Sequence, residues 1–185
     1  MINNYKEALI YAKEFHENAS HTVLINATNI KNKTQIPYTD FIGGVIDLLI
    51  NEVKYDDEKK LLVTALNDLF EFTDCTMGEL KRHVAEDVFN LVKEAHLYKY
   101  ETAKEHIERI INGNNPWLCE IILAVKLHEI RLHRMRFGRY TDDLRYYNQI
   151  RDLYLNDKVR LNTPILTKLL DEQIEANILF VKENH

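Results

Sequence analysis

The sequence predicts an all-α, single-domain helical bundle of seven or eight helices over residues 1–185. Three observations carry that expectation. Apolar residues recur at steps of three and four along nearly the whole chain, which is the period of a helix with one buried face. Glycine (5) and proline (3) are too scarce for a turn-rich sandwich or barrel. The chain has 185 residues, 45% of them apolar and 29% charged, enough to bury one core without disulfide or metal staples.

The elements follow in order. Tyr5, Leu9, Ala12 and Phe15 mark the apolar stripe of a first helix. From His16 to Gln35 the pattern dissolves into Asn, Thr and Lys around Thr22-Val23-Leu24-Ile25, compatible with a long loop or a short extended piece. Pro37 reopens regular structure, and Ile42, Val45, Ile46 and Leu49 mark a second helix. Gly43 and Gly44 inside it cost roughly 1 kcal/mol each relative to Ala. That pair fits either a close approach of another group or simply a weak helix.

Asp56-Asp57 starts a third helix with Leu61, Leu62, Ala65, Leu66 and Leu69 on its buried face, its acidic first turn facing the positive end of the dipole. Thr76-Met77-Gly78-Glu79 is a capping box that opens a fourth, carrying Leu80, Val84, Val88, Leu91 and Val92. A fifth runs from about Thr102 to Asn112-Gly113. Asn115-Pro116-Trp117 starts the next, with Asn as N-cap and Pro at the first position, and it ends near Gly138. Thr141-Asp142-Asp143 and Thr163-Pro164 cap the last two.

With 24 Lys and Arg against 29 Asp and Glu, the net charge is −5 and the isoelectric point about 5.9. Such a surface repels a nucleic-acid backbone overall, so no nucleic-acid partner is expected. Cys75 and Cys119 are too few for a disulfide framework and read as buried thiols of a reducing compartment. The start Met1–Lys6 leads into a charged amphipathic segment rather than a secretory signal. The longest apolar stretch, Phe41–Ile50, contains Asp47 and is too short to span a bilayer. The expectation is a soluble, cytoplasmic protein with no membrane partner.

Among general motifs, neither a phosphate-binding glycine loop nor paired CxxC is present. His16-Glu17 with His21, and His128-Glu129 with His133, approach HExxH but carry one residue too many. Five residues turn a helix through about 500°, leaving the imidazoles roughly 140° apart, so neither pair forms a zinc site on one face. Arg131, Arg134, Arg136 and Arg139 crowd nine residues, with His128 and His133 beside them. Guanidinium groups there suit a phosphate, a helix C-terminus whose dipole they offset, or a protein interface. Asn67, Asp68 and Glu71 follow an apolar helix face, with Asp68 and Glu71 one turn apart.

Four ordered segments are similar to one family. Thr34-Gln35-Ile36-Pro37-Tyr38-Thr39-Asp40-Phe41-Ile42-Gly43-Gly44-Val45 resembles its GxPYxxHPxxVA segment, and Ala65-Leu66-Asn67-Asp68-Leu69-Phe70-Glu71-Phe72-Thr73-Asp74-Cys75-Thr76 its ALLHDxxEDTxxT. Glu79-Leu80, Val88 and Leu91-Val92 resemble the EEI…FGxxVAxLVxxVT helix, and Val125-Lys126-Leu127-His128-Glu129 stands where VKLAD would. The family is the HD-domain (p)ppGpp hydrolases: the hydrolase halves of RelA/SpoT proteins and their small stand-alone relatives. The resemblance runs from about residue 37 to 136, with helices from about 141 to 182 expected to pack on that core.

The resemblance implies a divalent ion, usually manganese, held by two histidines, an aspartate beside the second, and the aspartate of VKLAD. At those positions this chain has Phe41, Asn67, Asp68 and Glu129. The family's water-orienting Glu-Asp pair becomes Glu71-Phe72, so Glu71 alone stands as the candidate catalytic carboxylate. Asp68, Glu129 and the Asn67 amide oxygen would give a weak or vestigial oxygen site for magnesium or manganese, or no cofactor at all. Without a tightly held ion the main lever on water is lost.

The expectation is therefore a degenerate HD-domain protein that binds guanosine polyphosphate or another nucleotide without cleaving it. Tyr38, Arg131, Arg134 and Arg136 are its candidate nucleotide contacts. Two alternatives stay open. One is a residual phosphohydrolase working through Asp68, Glu129 and Glu71. The other is a helical interaction module, with a protein partner or a homodimer meeting a region rich in tyrosine and arginine: Arg139, Tyr140, Arg145, Tyr146, Tyr147 and Tyr154.

Overall fold

The computed structural model describes residues 1–20, 22–26 and 33–185, with the backbone alone at 24–26 and 33–34. Its described residues are dominated by helices, as the periodicity predicts. Two short strands, β1 (Thr22–Asn26) and β2 (Lys33–Pro37), pair in a small sheet that falls mostly in the stretch compatible with loop or extended chain and runs two residues past its end. Residues 21 and 27–32 of that stretch lie outside the described ones. The chain separates into two compact units, Met1–Val23 with Pro37–Asn115, and Leu24–Ile36 with Pro116–His185.

The first unit is built on α1 (Tyr5–Asn18), α2 (Tyr38–Leu48) and α3 (Glu58–Ala65). Helix α1 packs on α2 and α3 and touches α4 (Leu69–Phe72); α2 also packs on α3. Ala8, Ala12, Ile42, Val45, Leu61, Leu62, Ala65 and Leu66 supply the buried face. Asn4 caps α1, and Asp57 caps α3 by accepting from the backbone of Lys59 and Lys60. A π-helical turn, Leu49–Val53, ends α2 at Lys54, whose φ is 64°.

Helices α5 (Met77–His83), α6 (Glu86–Ala95) and α7 (Ala103–Ile111) complete this unit. The predicted capping box at Thr76 and Glu79 is present in both directions, and Thr102 with Glu105 forms a second at the start of α7. No described atom comes within 4 Å of where a Cβ on Gly43 would sit. The close-approach reading therefore fails at Gly43, and this glycine only weakens α2.

The second unit starts with a 3-10 turn, Pro116–Leu118, that leads into α8 (Cys119–Leu132). Helices α9 (Tyr140–Tyr154), α10 (Asp157–Asn162) and α11 (Pro164–Glu183) follow, and α11 packs along α8, α9 and α10. Leu123, Ala124, Leu127, Ile130, Ile150, Val159, Leu166, Leu170, Ile174 and Val181 are buried between them. Pro164 occupies the first position of α11 as predicted, but Thr163 makes no side-chain cap.

Three expected helices are broken. The segment from Asp56-Asp57 splits into α3 and α4, that from Thr76 into α5 and α6, and that expected after the Thr141-Asp142-Asp143 cap into α9 and α10. Helix α8 stops at Leu132 rather than near Gly138, and α9 starts at Tyr140, ahead of the Thr141-Asp142-Asp143 cap the sequence suggested. Between them, residues 133–139 form a loop whose Gly138 has φ 65°, a conformation that L side chains resist.

Candidate functional site

In the first unit the break between α3 and α4 creates a polar cluster. Asp68 sits at φ 61°, a left-handed conformation that Asp tolerates better than most residues, and this ends the expected continuous helix. Its carboxylate consequently accepts a 2.6 Å hydrogen bond from the Tyr38 hydroxyl at the start of α2. The Asn67 side chain hydrogen-bonds beside this pair. Burial, with the Glu71 carboxylate nearby, lifts the Asp68 carboxyl to about 7. Burial, reinforced by Asp68, raises the Tyr38 phenol well above its usual value.

Glu71 lies one turn further on and is anchored outward. One of its oxygens accepts from the Leu97 backbone N–H at 3.0 Å and lies 3.6 Å from His96 Nδ1, pinning the exit of α6 to α4. Tyr38 is 3% exposed, with its ring between those of His16 at 4.5 Å and Phe41 at 5.9 Å. Phe41, at the position where the resemblance implies a histidine, is a buried core residue. The His16 imidazole, carried by α1, was missed as a neighbour of this cluster; a His on the α1 stripe one turn past Ala12 was its only sequence signal.

The second unit holds Glu129 and the arginines. Glu129, on α8, is the centre of an ionic network. One oxygen pairs with Lys126 Nζ at 2.5 Å, and the other takes the Arg136 guanidinium and the Tyr146 hydroxyl, the latter at 2.9 Å. Burial pushes the Glu129 carboxyl up, but Lys126, Arg136 and the Tyr146 hydroxyl outweigh it and hold it below the usual range. The Arg136 guanidinium also lies 4.6 Å over the Tyr146 ring and 2.8 Å from its hydroxyl oxygen. Arg134 is exposed and lies over the Phe180 ring at 5.3 Å; Arg131 is half-buried on α8.

Three buried polar side chains fix the loop that carries Arg134 and Arg136. Asp143, fully buried, accepts from the backbone N–H of both Arg136 and Phe137 at 2.7 Å. Tyr147 donates to the carbonyls of His133 and Arg134 at 2.6 Å. Asn177 donates to Ile130 O at 2.7 Å, satisfying a carbonyl left over at the end of α8. Sequence reasoning missed this clamp, although Asn177 interrupts the apolar stripe of Ile174, Ile178 and Val181, which was a readable signal.

The structure thus joins Tyr38, Asn67 and Asp68 in one cluster, with Glu71 near its edge, and it joins Glu129 to Arg136 in another. The divalent ion implied by the resemblance does not suit these residues. Phe41 has no donor atom, Asp68 is spent on Tyr38, and Glu129 is already neutralised by two cations. Among the described residues, no three His, Cys, Asp or Glu side chains form a group that could hold a metal ion. No helix of the described residues is long and apolar enough to cross a membrane.

Comparison with known proteins bears on the fold. No protein-family model and no curated protein matches the chain. Among solved structures, it is similar to a metazoan orthologue of SpoT, described as hydrolysing ppGpp and playing a role in starvation responses. The match has a TM-score of 0.71 at 23% identity, covering 95% of this chain and 96% of that one. The fold is the all-α, HD-domain (p)ppGpp hydrolase fold.

Proposed function

We propose that the protein binds a guanosine polyphosphate or a related nucleotide without cleaving it by metal-dependent hydrolysis, acting as a regulatory domain. The observation that carries this reading is the state of Glu129. The residue standing where the fold family places a metal ligand is bound instead to Lys126, Arg136 and Tyr146. A carboxylate facing two cations offers little to a third, and Asp68 and Phe41 add nothing that could replace it.

The shared fold and the rigid arginine loop support retention of a phosphate ligand. Arg131 and Arg134 are the phosphate contacts in this account, and Arg136 orients the loop through Glu129. Tyr38 is buried with its hydroxyl committed to Asp68, so it receives no ligand contact here. Asp143 and Tyr147 hold the loop backbone in place before a ligand arrives, which spares the ordering cost of binding.

The test is thermal unfolding with ppGpp, GTP, manganese or magnesium added singly. A ligand at a hundred times its dissociation constant adds about 2.7 kcal/mol, a readily measured rise in Tm. The expected result is a shift with nucleotide, lost in Arg134→Ala, and none with either metal. A shift with manganese alone would contradict the reading. No shift with any addition would point to the helical interaction module.

A further inference from the structure

We propose that the outer surface of α10 and α11 is a self-association site, which binds the same surface of a second copy about a twofold axis beside Ile165. The inference stands apart from the nucleotide reading and draws on other residues. The two helices turn a groove of about 470 Å³ to solvent, running from Arg160 and Pro164 past Lys168 to Glu172 and Glu175.

Two apolar side chains stand beside the groove in solvent. Leu161, in the last turn of α10, is 83% exposed, and Ile165, in the first turn of α11, is 50% exposed. The inner face of α11 is already spent, with Leu166, Leu170, Ile174 and Val181 buried against α8, α9 and α10. Ile165, Lys168 and Glu172 recur at steps of three and four, so they share an outer stripe. A rigid helix therefore displays apolar and charged groups together on its solvent side.

Charge decides the occupant. Along the groove the sign changes: Arg160 and Lys168 come first, and Asp171, Glu172 and Glu175 follow. A partner of one sign would meet repulsion at one end of this surface. A second copy laid antiparallel suits both ends, because the cationic end of each falls on the acidic end of the other, with Leu161 and Ile165 between. Parallel apposition would set like on like. Asp171 and Glu175 are engaged by Arg151, and Asp171 also lies 3.6 Å from Arg160. Glu172 makes a 3.9 Å contact with Lys168, both side chains being largely exposed. Such a pair contributes little, so Glu172 can turn to Arg160 of the second copy at small cost. The Arg160 Nε donates to the Leu155 carbonyl at 2.8 Å, which holds the guanidinium at the end of the groove.

The experiment is sedimentation velocity of the full chain at low salt over about a hundredfold range of concentration, repeated on Leu161→Asp, Glu172→Lys and Arg160→Glu. Circular dichroism checks that each variant folds. The expected result is a dimer whose dissociation constant rises about tenfold or more in each variant. Mixing Arg160→Glu with Glu172→Lys should restore the dimer, since both contacts across the axis then join opposite charges. Neither variant alone can do so. Leu161→Asp and Glu172→Lys decide the question by themselves if Arg160→Glu, which loses the bond to Leu155, does not fold. A monomer at every concentration would overturn the proposal, as would a dimer that Leu161→Asp leaves intact or a mixture no tighter than its components.

Discussion

Arg136 and Glu129 form an ion pair that the Tyr146 hydroxyl joins to both partners, donating to the carboxylate at 2.9 Å and accepting from the guanidinium at 2.8 Å. Lys126 closes the network from the preceding turn of α8. The arrangement makes Glu129 the counter-ion of two cations. Glu129→Gln would leave Lys126 and Arg136 facing one another without compensation. It should lower stability by on the order of 2 kcal/mol in metal-free buffer, after allowing for the part-exposed arginine. Chemical denaturation in chelator checks this; an unchanged midpoint would show that the pair contributes nothing.

Asp68 gives the protein a defined pH dependence. Its carboxyl titrates near 7 when folded, against an ordinary 3.8, because burial and Glu71 disfavour its charge. Between those values the folded protein holds a proton that the unfolded chain releases. Stability from this group therefore falls as pH rises from about 4 to 7 and is level above that. Asp68→Asn removes the charge, so it should stabilise the protein at pH 8 by on the order of 2 kcal/mol and change little at pH 4. Urea midpoints at the two pH values measure the difference, and equal effects at both would contradict it.

Asp143 should matter more to the arginine loop than to the bundle as a whole. Asp143→Ala strips the acceptor from two backbone N–H groups at residues 136 and 137. Unpaired buried donors cost about 1–3 kcal/mol each, reduced here wherever the loop can reopen to water. Hydrogen exchange should therefore accelerate at residues 134–139 before it does in α8 or α11. Uniform acceleration would mean that Asp143 supports the core instead.

Gly43 supplies a stabilising substitution. It lies inside α2 with open space where a Cβ would stand. Gly43→Ala should raise stability by about 0.5–1 kcal/mol through helix propensity and a less disordered unfolded chain. A lower Tm in the variant would restore the reading that this glycine makes room for another group.

Helical periodicity was enough to reveal the bundle, because Leu61–Leu66 and Ile121–Ile130 bury faces that no other element type could use. The Thr76–Glu79 box and the Pro164 start were equally readable, since each depends on neighbours in the chain. Breaks were not. Asp68 leaves the helix because a left-handed backbone lets its carboxylate meet Tyr38, a partner thirty residues away. The end of α8 at Leu132 is likewise set by Asp143, Tyr147 and Asn177, which act across elements. Candidate site residues could be named from the ordered motifs, but their present bonding could not: nothing local tells that Glu129 meets Arg136 and Tyr146, or that Phe41 is core.

The most direct test of the account is incubation of the purified protein with ppGpp and manganese, following pyrophosphate release beside a direct measurement of binding. The expected result is binding that Arg134→Ala weakens at least tenfold, with no pyrophosphate released above the rate without protein. Manganese-dependent release that Glu129→Gln abolishes would contradict it, because Glu129 would then serve a metal rather than Arg136.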